Sequence, residues 1–395
     1  MKKKLTIFLL TCLCLPLLAQ TDIHPKGSLP WPRSLQAALD TILMTPLLET
    51  TQLGLMVYDL TADTTLYTYG HRQRLRPAST MKLLTAITAL DRLGSDYQLK
   101  TTLYYTGRVE NGTLHGNLHC VGSMDPMFDS RDMASFVSKV RHQGIDTIRG
   151  SILIDLSFKD DDPLGKGWCW DDDNPVLTPL LYDGKDIFVG QLERELQRDG
   201  VVITNEAVSY PLSSMHHVAS RGHSVAEVLE RMMKESDNLY AEALFYNIGA
   251  AADRPATARL AAGQIRRMIQ NVGLRPGDYR IADGSGLSLY NYVSAELEVR
   301  MLRHAWQHAD LFRQLNIVLP VAGVDGTLKT RMKKTAAERN VHAKTGSLSG
   351  ISSLAGFCTA PNGHVLCFAI INQGVSRMSD GRQFQDQVCE AMCKY

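Results

Sequence analysis

The stretch Pro77-Ala78-Ser79-Thr80-Met81-Lys82-Leu83-Leu84-Thr85-Ala86-Ile87-Thr88-Ala89-Leu90 carries the reading of the whole chain. Apolar residues recur at helical spacing from Ser79 to Leu93, and Gly94 closes the pattern. Ser79 and Lys82 stand three apart at the start of this helix, so they share a face, about 5–6 Å apart at Cβ. A serine hydroxyl is a poor nucleophile and needs a base beside it. A lysine amine is such a base only when neutral, and burial or a second cation lowers its pKa toward that state. The helix dipole also favours negative charge developing at Ser79. Taken alone, the pair reads better as a helix cap and a solvated lysine, because S-x-x-K arises about once or twice by chance in this length.

Two further strings change that balance. Ser236-Asp237-Asn238 fits S-x-N between helical stretches, and Lys344-Thr345-Gly346 opens a strand. Each has a chance frequency of roughly 0.1, so all three in this order form a catalytic constellation. Lys344 is the second cation. Ser236 is placed to pass a proton between Lys82 or Lys344 and a leaving amine. Asn238 can hold a substrate carbonyl or fix the Lys82 ammonium. Lys344 and Thr345 suit a terminal carboxylate, and Gly346 leaves room for substrate along the strand. Backbone N–H groups of Ser79 and Ser347 complete an oxyanion hole.

Outward from these motifs the chain alternates in texture. Leu35 to Leu48 reads as a helix, and Leu53 to Leu60 and Thr65 to Tyr69 as strands. From Leu99 onward β-like pieces (Thr101 to Tyr105, Leu114 to Val121, Ile152 to Leu156) alternate with turns and one helix near Met133 to His142. Val225 to Ile248, Pro255 to Val272 and Ser294 to His308 are helical. The end reads as the strand His342 to Ser347, a hairpin of Ser353 to Cys358 with His364 to Asn372, then the helix Gln383 to Lys394. The expected division is 1–20 as a signal segment, 21–98 with 216–395 as the catalytic unit, and 99–215 as a β-rich insert.

Composition excludes several classes. The 395 residues are 44% hydrophobic and 21% charged, an ordinary globular balance. A formal charge of +1 offers no basic excess for nucleic acid. Lys2, Lys3 and Lys4 precede an apolar run from Leu5 to Ala19, the pattern of a cleaved signal peptide. The run falls short of the roughly 20 residues of a membrane span. Thr11 and Leu13 precede Cys12 and Cys14 where a lipoprotein site needs a small residue. The expectation is an exported, periplasmic protein.

Six cysteines remain: Cys120, Cys169, Cys358, Cys367, Cys389 and Cys393. Equal spacing about the turn at Asn362-Gly363 places Cys358 opposite Cys367, either bridged or as small buried residues. Cys389 and Cys393 are one helical turn apart, poor disulfide geometry and an incomplete zinc site. His304 and His308 lack the glutamate of H-E-x-x-H, and Gly284-Ser285-Gly286 is not a nucleotide loop. No metal or cofactor is expected.

The three motifs resemble those of the penicillin-recognising serine hydrolases. Their surroundings resemble the D-alanyl-D-alanine carboxypeptidase/endopeptidase family of penicillin-binding protein 4 type. The similar strings are Pro77 to Lys82, Gly122 to Pro126, Gly167 to Asp172, Met232 to Glu242, Asp283 to Ser288, Leu319 to Leu328 and His342 to Gly350. The resemblance implies an α+β fold: a transpeptidase/β-lactamase-like core, an antiparallel sheet flanked by helices, with a β-rich inserted domain. It implies cleavage of D-Ala-D-Ala bonds or cross-links in peptidoglycan peptides through an acyl-enzyme on Ser79, with β-lactams as covalent inhibitors. It also implies an acidic insert residue against the substrate's diamino acid, for which Asp155 is the candidate, its alternative being a turn carboxylate.

The departures are a shortened insert, with 153 residues between Lys82 and Ser236, and Leu289 where relatives often carry Arg. The rival readings are a serine β-lactamase and a catalytically silent peptidoglycan-binding protein. The first lacks an E-x-x-L-N string downstream of Asn238, and Glu242 reads as structural. A homodimer is among the assemblies that the sequence leaves open.

Overall fold

A computed structural model of the chain describes residues 29–170, 173–210 and 214–395; the signal segment 1–20 lies outside them. Five antiparallel strands form the central sheet, in the order His342–Leu348, Ile351–Thr359, Val365–Gln373, Gln52–Asp59 and Thr64–Tyr69. The middle strand Val365–Gln373 is buried along nearly its whole length because it is covered on both faces. Its alternation decides which residue meets which layer. Cys367, Ala369 and Ile371 join one core with the helices Met81–Arg92, Asn238–Ala250 and Ala295–Gln307. Leu366, Phe368 and Ile370 join a second core with Arg33–Leu43 and Met378–Lys394. The fold is thus α+β, helices on both faces of an antiparallel sheet.

Met81–Arg92 lies at the centre of the first core, with every residue from Met81 to Leu90 buried. Its polar groups find partners inside: Thr85 donates to the Gly284 carbonyl at 2.7 Å and Thr88 to that of Leu84 at 2.7 Å. A helix buried on all sides can carry a lysine such as Lys82 only if that lysine is hydrogen-bonded.

Between the first two motifs lie two four-stranded sheets around one further core. One is ordered His216–Ser224, Gln98–Tyr105, Leu118–Gly122, Ile152–Asp155, the other Arg108–Glu110, Thr113–His115, Thr147–Arg149, Val202–Ile203. The helices Ser130–His142 and Phe188–Arg198 pack into the same core. His216–Ser224, which the sequence alone assigns to the catalytic unit, pairs from His216 with Tyr105 to Ser224 with Gln98. Its composition is polar because it is a sheet-edge strand, so no apolar alternation announces it.

Three other expectations change. The helical stretch Val225 to Ile248 is two helices, Val225–Lys234 and Asn238–Ala250, broken where Ser236 takes a positive φ of 63° and Asp237 caps the second. Leu35 to Leu48 is likewise divided, into Arg33–Leu43 and Leu47–Thr50 around Pro46. Cys358 does not face Cys367. The pairing sets Phe357 opposite Cys367 and Cys358 opposite Leu366, because Thr359 and Val365 close a loop of odd length. One residue of register turns the two thiols to opposite faces of the sheet. Cys358 lies in the core that holds Cys389 and Cys393, and all of these are free thiols.

Candidate active site

Ser79 sits in a 3-10 turn, Ala78–Thr80, that runs straight into Met81–Arg92. Ala78 has a φ of +49°, a left-handed conformation that a residue with a Cβ holds only when its surroundings impose it. Two glycines make those surroundings. A Cβ on Gly286 would lie 1.8 Å from the Ala78 carbonyl oxygen, and one on Gly346 would lie 2.1 Å from Ser353 Oγ and 2.7 Å from Pro77 O. Gly346, expected to make room for substrate, makes room first for the turn that carries Ser79.

The first-turn spacing delivers Lys82 Nζ to within 3.0 Å of Ser79 Oγ. Nζ also donates to Asn238 Oδ1 at 2.7 Å and to the Ser285 carbonyl at 2.9 Å. Lys344 Nζ donates to Ser236 Oγ at 2.9 Å and to the Thr345 carbonyl at 2.8 Å. The structure therefore brings Ser79, Lys82, Ser236, Asn238 and Lys344 from three distant segments into one polar cluster. Both lysines are wholly buried. Burial lowers the Lys82 pKa to about 8, opposed by the charges of Asp283, Glu242 and Asp237. Burial, then the charge of Lys82, holds Lys344 well below the ordinary range. Desolvation, and not the charge of the second cation, is thus the cause of the lowering at Lys82.

The substrate side is equally defined. His342–Leu348 is the outer strand of the five, paired along its length with Ile351–Thr359. On its other side Val321 bridges His342 and the Ala343 N–H donates to the Pro320 carbonyl at 2.9 Å, and among the described residues no strand pairs with that side beyond them. Its far edge is a template for an extended peptide. The Thr345 hydroxyl donates to Thr327 Oγ1 at 2.8 Å, a residue within the Leu319 to Leu328 string. Ser347 is exposed on the same strand. A cleft of about 760 Å³ opens beside Asn238, between Pro126, Met127 and Asp129 of the insert and Arg231, Asp237 and Tyr240 of the core. Asp155 ends the strand Ile152–Asp155, and its Oδ1 accepts the Ser157 N–H at 2.8 Å, the turn alternative.

Two carboxylates hold this cluster: Glu242, which the sequence reads as structural, and Asp283, which opens the Asp283 to Ser288 string; their partners are what the sequence does not show. Glu242, fully buried, accepts from the backbone N–H groups of Gly284 and Ser285, at 3.1 and 2.8 Å to one oxygen. Burial and the neighbouring Asp283 push its pKa up to about 8. Asp283 takes the indole N–H of Trp168 at 2.8 Å, the amide of Asn291 at 2.6 Å, and the N–H groups of Gly286 and Ser288. These bonds fix the loop whose Ser285 carbonyl receives Lys82. Glu242 is thus engaged with backbone and not free to activate a water. Trp168 is buried against this loop, whereas Trp170 is 84% exposed.

Among known proteins, the model of the D-Ala-D-Ala carboxypeptidase 3 (S13) family matches residues 35–181 and 180–394. Carboxypeptidase DacB of Mycolicibacterium smegmatis is 30% identical, over 87% of this chain and 80% of its own. D-alanyl-D-alanine carboxypeptidase DacB of Haemophilus influenzae is 24% identical, over 83% of this chain and 86% of its own. The crystal structure of penicillin binding protein 4 from Haemophilus influenzae superposes with a TM-score of 0.80 at 24% identity, covering 91% of this chain and 99% of that one. The same protein complexed with a β-lactam gives 0.76.

Proposed function

The chain belongs to the D-Ala-D-Ala carboxypeptidase 3 (S13) family and is a serine carboxypeptidase/endopeptidase of that kind, and from this premise we propose how its own residues act. Ser79 attacks the carbonyl of the penultimate D-Ala of a peptidoglycan stem peptide, or of the D-Ala in a cross-link. The observation that carries this is Lys82 Nζ, buried and 3.0 Å from Ser79 Oγ.

Neutral Lys82 takes the Ser79 proton as the Oγ–C bond forms. The N–H groups of Ser79 and Ser347 hold the oxyanion. As the C–N bond breaks, Ser236 passes a proton from the lysine pair to the departing amine. Water then repeats the sequence on the acyl-enzyme, and Ser79 leaves with its proton restored. Thr345, with Lys344, receives the terminal carboxylate. Gly346 lets the substrate lie against the strand, and Asp155 meets the amino group of the diamino acid with the oxygen its turn leaves unused. β-Lactams acylate Ser79 by ring opening and leave slowly. The residues 98–224 serve as a substrate-facing insert, and the protein works in the periplasm after removal of residues 1–20.

The test is a synthetic stem peptide ending in D-Ala-D-Ala. The expected result is stoichiometric release of one D-Ala, abolished by prior exposure to benzylpenicillin. Release that persists at full rate in the penicillin-treated protein contradicts the proposal.

A further inference from the structure

Against the nucleophile turn lies a carboxyl group that the mechanism does not use. Glu298 is on the helix Ala295–Gln307 and is wholly buried. Its Oε1 is 2.5 Å from Thr80 Oγ1, and its Oε2 has no hydrogen-bond partner among the described residues. Among the described residues no lysine, arginine or histidine pairs with it, whereas Glu296 on the same helix is paired with Arg72 and Arg300.

The protons around Thr80 can be counted. Ser353 Oγ gives its one proton to the Pro77 carbonyl at 2.5 Å, and Thr80 Oγ1 lies 2.9 Å from the same oxygen. If Thr80 also gives its one proton to Pro77, the contact with Glu298 needs a proton from the carboxyl. The reverse arrangement leaves an ionised carboxylate buried with one oxygen unbonded and no cation, a costly state. We propose that Glu298 is a neutral carboxylic acid that donates to Thr80 and, through Thr80, Pro77 and Ser353, positions the turn bearing Ser79. It is a positioning residue, since it touches neither Ser79 nor Lys82.

Burial raises the Glu298 pKa from 4.5 to about 8, with Thr80 opposing. The groups around it that titrate are few. Thr80 and Ser353 do not ionise in this range, Cys367 on the adjoining strand is itself pushed up by burial, and Lys82 is hydrogen-bonded to Ser79, Asn238 and the Ser285 carbonyl. A raised carboxyl pKa contributes stability below 4.5 that is lost as pH rises through about 8.

The experiment compares wild type, Glu298→Gln and Glu298→Ala in the full chain. Glutamine keeps a neutral donor for Thr80. Its acylation rate by benzylpenicillin is expected within about threefold of wild type, whereas alanine loses about tenfold or more through displacement of the turn. The fall of Tm between pH 5 and 8 should be shallower in Glu298→Gln than in wild type. Equal damage by both variants, or unchanged pH dependence of Tm, overturns the proposal. The acylation arm rests on the serine reading above; an infrared difference spectrum of wild type minus Glu298→Gln at pH 7 does not. A protonated-carboxyl band present only in wild type supports the neutral acid, even where the alanine variant fails to fold. No such band overturns it.

Discussion

Replacing Lys82 with methionine is expected to slow acylation of the protein by benzylpenicillin by about 10³–10⁴-fold, the range that a positioned general base supplies. Among the described residues no other base is hydrogen-bonded to Ser79, and Lys344 is engaged with Ser236 and the Thr345 carbonyl. In wild type the base is the neutral amine, so the acylation rate should rise with pH and level off above about 8. The same shift has a stability sign. A lysine whose pKa falls from 10.5 to about 8 contributes stability above 10.5 that is lost as pH falls through 8. At pH 7 the buried ammonium therefore opposes folding, on the order of 1–3 kcal/mol once its hydrogen bonds are allowed for. The methionine variant should be inactive yet no less stable than wild type near pH 7, measured by acylation kinetics and denaturant melts. An active variant, or one that unfolds at neutral pH, contradicts this assignment of cost and function to one side chain.

Gly286→Ala should be the most damaging small substitution among the glycines packed against the Ser79 turn. Its φ is +83°, and the added Cβ would stand 1.8 Å from the Ala78 carbonyl oxygen, a backbone atom that cannot rotate away. The cost is expected to be about 3–5 kcal/mol, as for other forced strain in a packed core. Any folded fraction should acylate about 10²-fold more slowly, because the Ser79 turn must move. Gly190→Ala is the matched control. That glycine lies in the helix Phe188–Arg198 with open space around it, so alanine should stabilise by about 0.5–1 kcal/mol. Melting curves and acylation rates of the two variants side by side check both expectations.

What the sequence makes legible is what local chemistry writes into it. The S-x-x-K spacing, the S-x-N turn and the strand at Lys344 each place a functional group relative to its own element, and their combination points to the family before any coordinates. The apolar run from Val365 to Ile371 likewise marks a strand, and the fold buries it on both faces. The illegible parts are non-local or depend on a single residue of register. Glu242 reads as structural without a partner, and Glu298 carries no motif, until the fold sets them against Ser285 and Thr80. The polar strand His216–Ser224 has no apolar stripe to announce it, and its pairing with Gln98–Tyr105 spans more than a hundred residues. Cys358 and Cys367 are near neighbours in sequence, yet one residue of loop length sends them to separate cores.

The central claim, that Ser79 is the nucleophile of an acyl-enzyme, is tested most directly by intact mass. Purified protein and its Ser79→Ala variant are exposed to benzylpenicillin and weighed over time. The account predicts one adduct of the whole drug on wild type, slow to leave, and none on the variant. An adduct on both proteins, or none on either with the drug left intact, contradicts it.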